Sequence, residues 1–435
     1  MNRRVLPVSL AVVALVLVLT ILFVNNFGST ESAAGKVVQV YYADNISPAH
    51  RIAIERFNAM YSGRIEVVPV SLPFEKFSTN ERKELLARSL RNKSDRLDIF
   101  TVDHIWVPRF SRWCEPLDDR IPLEERRAIL PQAEASCIYD STLMAIPTYI
   151  DIGMLYYRTD LVQKARPDSG FLDRLDQSIT WEEFRTLGRE FRKARRPFYF
   201  FPADDYEGLT CHFFELIAGQ DDRFFLRRPL DFSGPEARRA LTMLVEFVRK
   251  DGITPPAVEA FDEIRCYDGM LDSDGVFVRG WPNFIESYRT KYRDQDKLGL
   301  LERAPLPHFA GRRPVTVFGG WNLMVSQYST RKDEAVTFAR FFQREDIQKV
   351  MFEVGGYIPT NLNVYRDSLY VSQHPVLRFY IELIKTGFHR PSLVEYTKMS
   401  DIISRAANRA IRGEEGVTEA LQRASREIQE AGATR

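Results

Sequence analysis

Three short runs rich in β-branched and aromatic residues follow one another early in the chain, each separated from the next by a helix-forming segment. Lys36–Tyr42 (KVVQVYY) reads as a strand. In the following PAHRIAIERFNAMY, residues Ile52, Ala53, Phe57 and Met60 recur at helical spacing. Arg64–Val70 (RIEVVPV) is a second strand, NERKELLARSLRN with Leu86 and Leu90 on one face a second helix, and Leu97–Val102 (LDIFTV) a third strand. This order predicts a doubly wound α/β sheet, because parallel neighbours need a helix-length crossover. Ligands of such sheets bind beyond the carboxyl ends of the strands, which directs attention to Tyr41–Asn45 and Asp103–Trp106. The 435 residues exceed a single domain of roughly 150, so two lobes or domains are expected.

The rest of the chain alternates helices with short strands. Thr180-Trp-Glu-Glu183 is a capping box with Phe184, Leu187 and Phe191 on one face, and Ser233-Gly-Pro-Glu236 opens a helix reaching about Lys250. Short strands are predicted at Pro197–Phe201, Gly275–Val278, Val315–Phe318 and Leu323–Ser326. The C-terminal part reads as mostly helical, with turns at Gly355-Gly356, Pro359 and Pro391.

Arg3 and Arg4 precede the uncharged run Val5–Val24, broken only by Pro7, Ser9 and Thr20. Signal peptides carry about 7 to 15 apolar residues, whereas about 20 span a bilayer. The length favours a retained anchor, while Ser32-Ala33-Ala34 offers a cleavage site. In either case the remainder is expected outside the cytoplasm, with residues 25–35 as a polar tether. Proximity in sequence then suggests the disulfides Cys114–Cys137 and Cys211–Cys266, with four buried thiols as the alternative. No C-x-x-C and no His pair at ligand spacing points to a metal site. The 60 Lys+Arg and 59 Asp+Glu are scattered and nearly cancel, which argues against a nucleic-acid partner.

No H-E-x-x-H, G-x-S-x-G, G-x-x-x-x-G-K-[ST] or G-x-G-x-x-G is present, so hydrolase, nucleotide and dinucleotide chemistry lack their motifs. Instead, aromatic residues stand beside polar and turn residues: Asp103-His-Ile-Trp106, Pro147-Thr-Tyr149-Ile-Asp151, Arg279-Gly-Trp281-Pro282 and Gly319-Gly320-Trp321-Asn322. A flat ring packs on the C–H face of a sugar while carboxylates, amides and guanidinium groups take its hydroxyls, so a carbohydrate site needs both types together.

Six segments, LDIFTVDHIWVPRFSRWCEPLDD, MAIPTYIDIGMLYYRTDL, YEGLTCHFFEL, GVFVRGWPNFIESY, APLPHFAGRRPVTVFGGWNLMVS and HRPSLVEYTKMSDII, occur in this order. In them the chain resembles the bacterial extracellular solute-binding proteins of sugar-importing ABC transporters, especially the trehalose/maltose-binding branch. The resemblance implies a two-lobed periplasmic-binding-protein fold of doubly wound sheets joined by a hinge, with a helical C-terminal part. It places lobe 1 at residues 36–147 plus 316–362 and lobe 2 at 150–312 plus 366–435, with crossings near Pro147–Asp151, Pro307–Val315 and Asn361–Tyr365.

The resemblance also implies roles. Asp103 accepts sugar hydroxyl protons in the first lobe and Arg82 reaches the same ring. Tyr149 stacks and Asp151 accepts at the crossing. Trp281 is the second-lobe platform, with Gly320 as backbone donor and Trp321 as platform facing it, and Arg390 clamps hydroxyls on closure. Surface salt bridges are the alternative for Arg82 and Arg390. The chain departs from the trehalose/maltose pattern at Asp44-Asn45-Ile46-Ser47-Pro48, where Ile46 or Pro48 stands in place of an acid. The implied function is an extracytoplasmic, non-enzymatic receptor that delivers a di- or oligosaccharide to an ABC permease, as a monomer without cofactor or metal. A sensory receptor docking on a membrane signalling partner is the second reading, and a glycan-cleaving enzyme the third.

Overall fold

The computed structural model describes residues 37–432 apart from positions 74, 75, 78, 168 and 290. The expected N-terminal signal or anchor and its tether lie outside the described residues.

The opening alternation builds a parallel sheet. Strand β1 (Val38–Asp44) pairs parallel with β2 (Ile65–Ser71), Val38 opposite Ile65 through Asp44 opposite Ser71. On its other side β1 pairs parallel with β3 (Ile99–Asp103), Tyr42 opposite Ile99. Helices α1 (Pro48–Met60) and α2 (Thr79–Arg91) supply the crossovers. Ser47 caps α1 by accepting from the His50 amide, and Pro48 begins it. The face that α1 buries runs through Ala49, Ala53, Ile54 and Phe57. Met60, expected on that face, is 49 % exposed. It is the last helical residue, and Tyr61 covers Phe57 instead, stacked on it at 4.4 Å.

The middle of the chain builds a second sheet. Strands β4 (Ile146–Ile152) and β5 (Met154–Arg158) are separated by Gly153 alone yet belong to different sheets. The capping box expected at Thr180 opens α3 (Trp181–Lys193), with Phe184, Leu187 and Phe191 buried. After β6 (Tyr199–Phe200), α4 (Glu207–Ala218) and α5 (Pro235–Arg249), strands β7 (Phe277–Gly280) and β8 (Leu301–Ala304) complete the sheet in the order β8-β5-β7-β6. Strand β9 (Thr316–Val325) then returns to the first sheet and pairs antiparallel with both β3 and β4. The short β10 (Gly387–Phe388) lies beside the start of β9, and α6 (Tyr396–Arg412) packs on α4 and α5.

Two expectations need correction. The strands predicted at Val315–Phe318 and Leu323–Ser326 are a single buried strand, β9, and Gly319-Gly320 is no break in it. Gly320 has φ +124°, and a Cβ on it would stand 2.6 Å from the Tyr149 carbonyl oxygen. Glycine here lets β9 approach β4 closely rather than turn. The disulfides Cys114–Cys137 and Cys211–Cys266 are absent: all four cysteines are free and buried. Each faces its own surroundings. The Cys114 thiol lies 4.0 Å from the Met324 sulfur, that of Cys137 donates to the Ala133 carbonyl, and that of Cys211 lies 3.9 Å from a Glu207 carboxylate oxygen. Cys266 is enclosed on the helix Glu263–Asp272.

Alkylation of the unfolded protein without reductant should therefore add four groups by mass spectrometry, and fewer would indicate a bridge. Gly320→Ala should lower stability by about 2 kcal/mol, the cost of a strained backbone at positive φ, read as an earlier urea midpoint.

Candidate functional site

The carboxyl ends of the first sheet's strands carry a stack of alternating charge and ring. Asp44 ends β1. Arg82 occupies the α2 face that also buries Leu86 and Leu90, four and eight residues on, and is 0 % exposed. Arg82 Nη2 donates to Asp44 Oδ1 at 3.0 Å, Tyr42 donates its hydroxyl to Oδ2 at 2.5 Å, and His50 Nε2 stands 3.3 Å from Oδ2. Burial pushes the Asp44 carboxyl up, but His50 and Arg82 outweigh it and bring it down to about 2. The Arg82 guanidinium carbon lies 4.1 Å from the centre of the Trp321 ring. In the sheet Trp321 is flanked by Asp103 and Tyr149, and Tyr149 stacks on Tyr357 at 4.3 Å.

The second sheet repeats this construction with unrelated segments. Arg279 on β7, also 0 % exposed, donates from Nη2 at 2.8 Å and from Nε at 3.3 Å to Glu215 of α4. His212 Nδ1 stands 3.0 Å from the same carboxylate, and His212 Nε2 meets the Tyr199 hydroxyl at 2.9 Å. Burial raises the Glu215 carboxyl, while Arg279 and then His212 bring it down to about 2. Arg279 lies 4.0 Å over the Trp281 ring, whose Nε1 donates to Glu263 Oε1 at 3.1 Å.

Arg390 connects the two sets. Its Nη2 donates to Asp103 Oδ1 at 3.0 Å and lies 3.0 Å from His104 Nε2, while its Nη1 donates to Glu207 Oε1 at 2.5 Å. Burial pushes Asp103 up to about 6: Arg390 opposes this, but Glu207 on the same guanidinium adds to it. Asp151 is raised to about 7 by burial and then by Asp103, against Arg279. Its Oδ1 is enclosed and accepts no hydrogen bond among the described residues. A surface depression of about 500 Å³ lined by Tyr61, Glu125 and Arg340 shares no residue with this cluster, and its Arg340 already pairs with Glu125.

Residues 53–375, well over half of the chain, match the family model described as bacterial extracellular solute-binding protein. The chain belongs to this family. This solute-binding protein is 26% identical over 340 residues to a probable ABC transporter-binding protein of Deinococcus radiodurans, covering 75% of the present chain and 78% of the relative. Maltose-bound MalE3 of T. maritima superposes with a TM-score of 0.82 at 24% identity, over 91% of this chain and 100% of that one. The GacH receptor of Streptomyces glaucescens, solved unliganded and with acarbose, gives 0.77 at 21% identity, over 91% and 98%. The two-lobed α/β fold of those structures is the fold of this solute-binding protein. Among the described residues, no helix is long and apolar enough to cross a membrane.

Of the eight residues singled out from the sequence, Arg82, Asp103, Tyr149, Gly320 and Trp321 gather around β3, β4 and β9 of the solute-binding protein. Asp151 stands opposite Gly319 in β9, and Trp281 approaches Gly319 from the second sheet. Arg390 spans from Asp103 to Glu207 with both terminal nitrogens held by protein groups. Arg82 and Arg390 are buried, so neither forms a surface salt bridge. Sequence reasoning gave no role to His50, Glu207, His212, Glu215 or Glu263; it met Arg279 only as a member of the Trp281 cluster, and Asp44 only within the Tyr41–Asn45 strand end and the departing loop. A signal was present: Arg279 interrupts the apolar GVFVRGW, Glu215 the apolar helix LTCHFFELIA, and Arg82 shares a helical face with leucines.

The shifted carboxylates make stability depend on pH with two limbs. Asp44 and Glu215, held at about 2, contribute stability above the ordinary carboxylate range that is lost as pH falls toward 2. Asp103 and Asp151, raised to about 6 and about 7, contribute stability at low pH that is lost as pH rises through those values. Asp151→Asn should remove this residue's share of the loss toward neutral pH, so that the urea midpoint of the variant gains on that of the parent between about pH 5 and 8. A difference between the two midpoints that stays constant over that range would contradict this assignment.

Proposed function

We infer that this solute-binding protein captures a di- or oligosaccharide between its lobes and delivers it to a membrane ABC permease. The observation that carries this reading is the pair of tryptophans, Trp321 and Trp281, each backed by a fully buried arginine and flanked by carboxylates. Rigid rings offer apolar faces to sugar C–H groups, and Asp103, Asp151 and Glu263 are hydroxyl acceptors beside them. The ligands bound in the structural neighbours, maltose and acarbose, agree with a saccharide, and the D. radiodurans relative is named a probable ABC transporter-binding protein.

In this reading lobe 1 comprises residues 36–147 plus 316–362, and lobe 2 comprises 150–312 plus 366–435. The first crossing, expected near Pro147–Asp151, is carried on to Gly153, where β4 of one sheet runs into β5 of the other. A Cβ there would meet Glu215 Oε1 at 2.2 Å and Arg279 Nη2 at 2.7 Å, so the hinge strand lies directly against the second buried pair. Trp321 and Trp281 then belong to different lobes, and a ligand touching both favours the closed form. The protein works outside the cytoplasm as a monomer, and the apolar run at its N-terminus serves as signal or anchor. Binding without turnover is its whole activity.

A thermal-shift screen against mono-, di- and oligosaccharides tests the reading, since a ligand at 100 times its dissociation constant adds about 2.7 kcal/mol. Trp281→Ala and Trp321→Ala should each weaken binding of the identified sugar by about 1 to 3 kcal/mol in calorimetry, with the sugar recovered intact. Parental affinity in both variants, or hydrolysed sugar after incubation, would overturn it.

A further inference from the structure

The charges around the two tryptophans do not cancel, and the excess is local. Arg279 is taken by Glu215. Arg390 is shared by two acids, Asp103 at 3.0 Å and Glu207 at 2.5 Å. Lys83 of α2 rests over Trp106 and faces Glu207 and Asp401. His104 and His389 stand beside Arg390, where burial and its charge keep them neutral. What remains is Asp151 and Glu263. Among the described residues neither has an arginine, lysine or histidine at ion-pair distance. Glu263 accepts only neutral donors, Trp281 Nε1 at 3.1 Å and the Tyr206 hydroxyl, and Asp151 Oδ1 is enclosed with no donor at all.

Both acids adjoin the same ring. The point where a Gly319 Cβ would stand lies 3.0 Å from Trp281 Cζ3 and 3.1 Å from Asp151 Cβ, so the edge of Trp281 and the stem of Asp151 meet over a residue without a side chain. Any larger residue at 319 would fill this junction. Burial and Asp103 hold the Asp151 carboxyl up to about 7, so a neutral hydroxyl leaves it largely protonated near neutrality, whereas a cation at hydrogen-bond distance favours its ionised form. A protonated amine supplies that cation, with three donors and a unit charge.

We propose that the saccharide bound by this protein carries a protonated amine, placed at the junction of Asp151 and Trp281 with Glu263 beyond the ring. The proposal rests on the saccharide reading above and narrows its ligand class to amino sugars and amine-bearing oligosaccharides. Trp321 and Asp103 then hold the hydroxylated part of the ligand, while Asp151 distinguishes an amine from the hydroxyl or acetamido group of an otherwise identical sugar.

The test is titration calorimetry on the whole exported protein at about pH 6.5, where a sugar amine keeps its proton. The probes are the glucosamine disaccharide of chitosan, its diacetylated form and cellobiose, which share one skeleton, with glucosamine, N-acetylglucosamine, glucose and maltose alongside. The amine-bearing member should bind at least about ten-fold tighter than its hydroxyl and acetamido counterparts. Asp151→Asn should bring that ratio below about three-fold, and Glu263→Gln should reduce it in a second background should the first variant fold poorly. A neutral sugar that binds as tightly as its amine counterpart, or maltose binding with no amine-bearing probe detected, overturns the amine assignment and leaves the saccharide reading standing. An unchanged ratio in both variants also overturns it. No binding by any probe overturns both.

Discussion

A guanidinium taken out of water without a partner costs several kcal/mol, and Arg82 and Arg279 are both withdrawn completely. Each is tolerated because a carboxylate meets it at hydrogen-bond distance and a histidine stands behind that carboxylate. The result is a fixed base of charge on which an indole rests at 4.1 Å in one sheet and 4.0 Å in the other. The arginine holds the ring by cation–π attraction as well as by contact, so each indole is fixed by the protein's own groups. Breaking either pair by removing one partner leaves a buried charge uncompensated, a loss of about 3 to 5 kcal/mol. Fold stability and site geometry are therefore the same interaction seen from two sides.

The second pair also fixes the join between the sheets. Glu215 reaches β9 through Thr316, whose hydroxyl donates to the Gly153 carbonyl at 2.6 Å, and the space it needs is the reason position 153 carries no side chain. Arg390 adds a second tie, from Asp103 at the end of β3 to Glu207 at the start of α4. One tie is built from backbone and a buried pair, the other from a guanidinium shared between two acids. In the latter, burial lifts Asp103 to about 6 and Arg390 divides its charge between the two acids.

Local sequence signals determined much of this molecule. Alternation of β-branched runs with amphipathic segments specified the parallel β2-β1-β3 core and its helices, since parallel pairing and a helical crossover imply each other. Thr180 and Glu183 specified a helix start through hydrogen bonds that span only three residues. The rule that ligands gather at strand carboxyl ends pointed to the segments holding Asp44 and Asp103, and aromatic-plus-polar clustering pointed to Trp281 and Trp321. Where local chemistry was read too literally it misled: Gly319-Gly320 resembles a turn, but the constraint on Gly320 is the Tyr149 carbonyl on a neighbouring strand.

Partnerships between distant positions were decided only by the tertiary structure. Glu215 lies 64 residues from Arg279, Asp44 lies 38 from Arg82, and Arg390 lies 287 from Asp103. No periodicity links such pairs, because the energy that joins them appears only once folding has removed water and made an unpaired charge expensive. The same reason explains the cysteines. Closeness in sequence suggested two bridges, but each thiol is carried by its own segment into a separate enclosed environment. The sequence by itself determined the elements, their order and the residue types able to meet a sugar. Which charges are cancelled and which carboxylate is left over was decided by the three-dimensional packing alone, since charge balance is a property of neighbours in space.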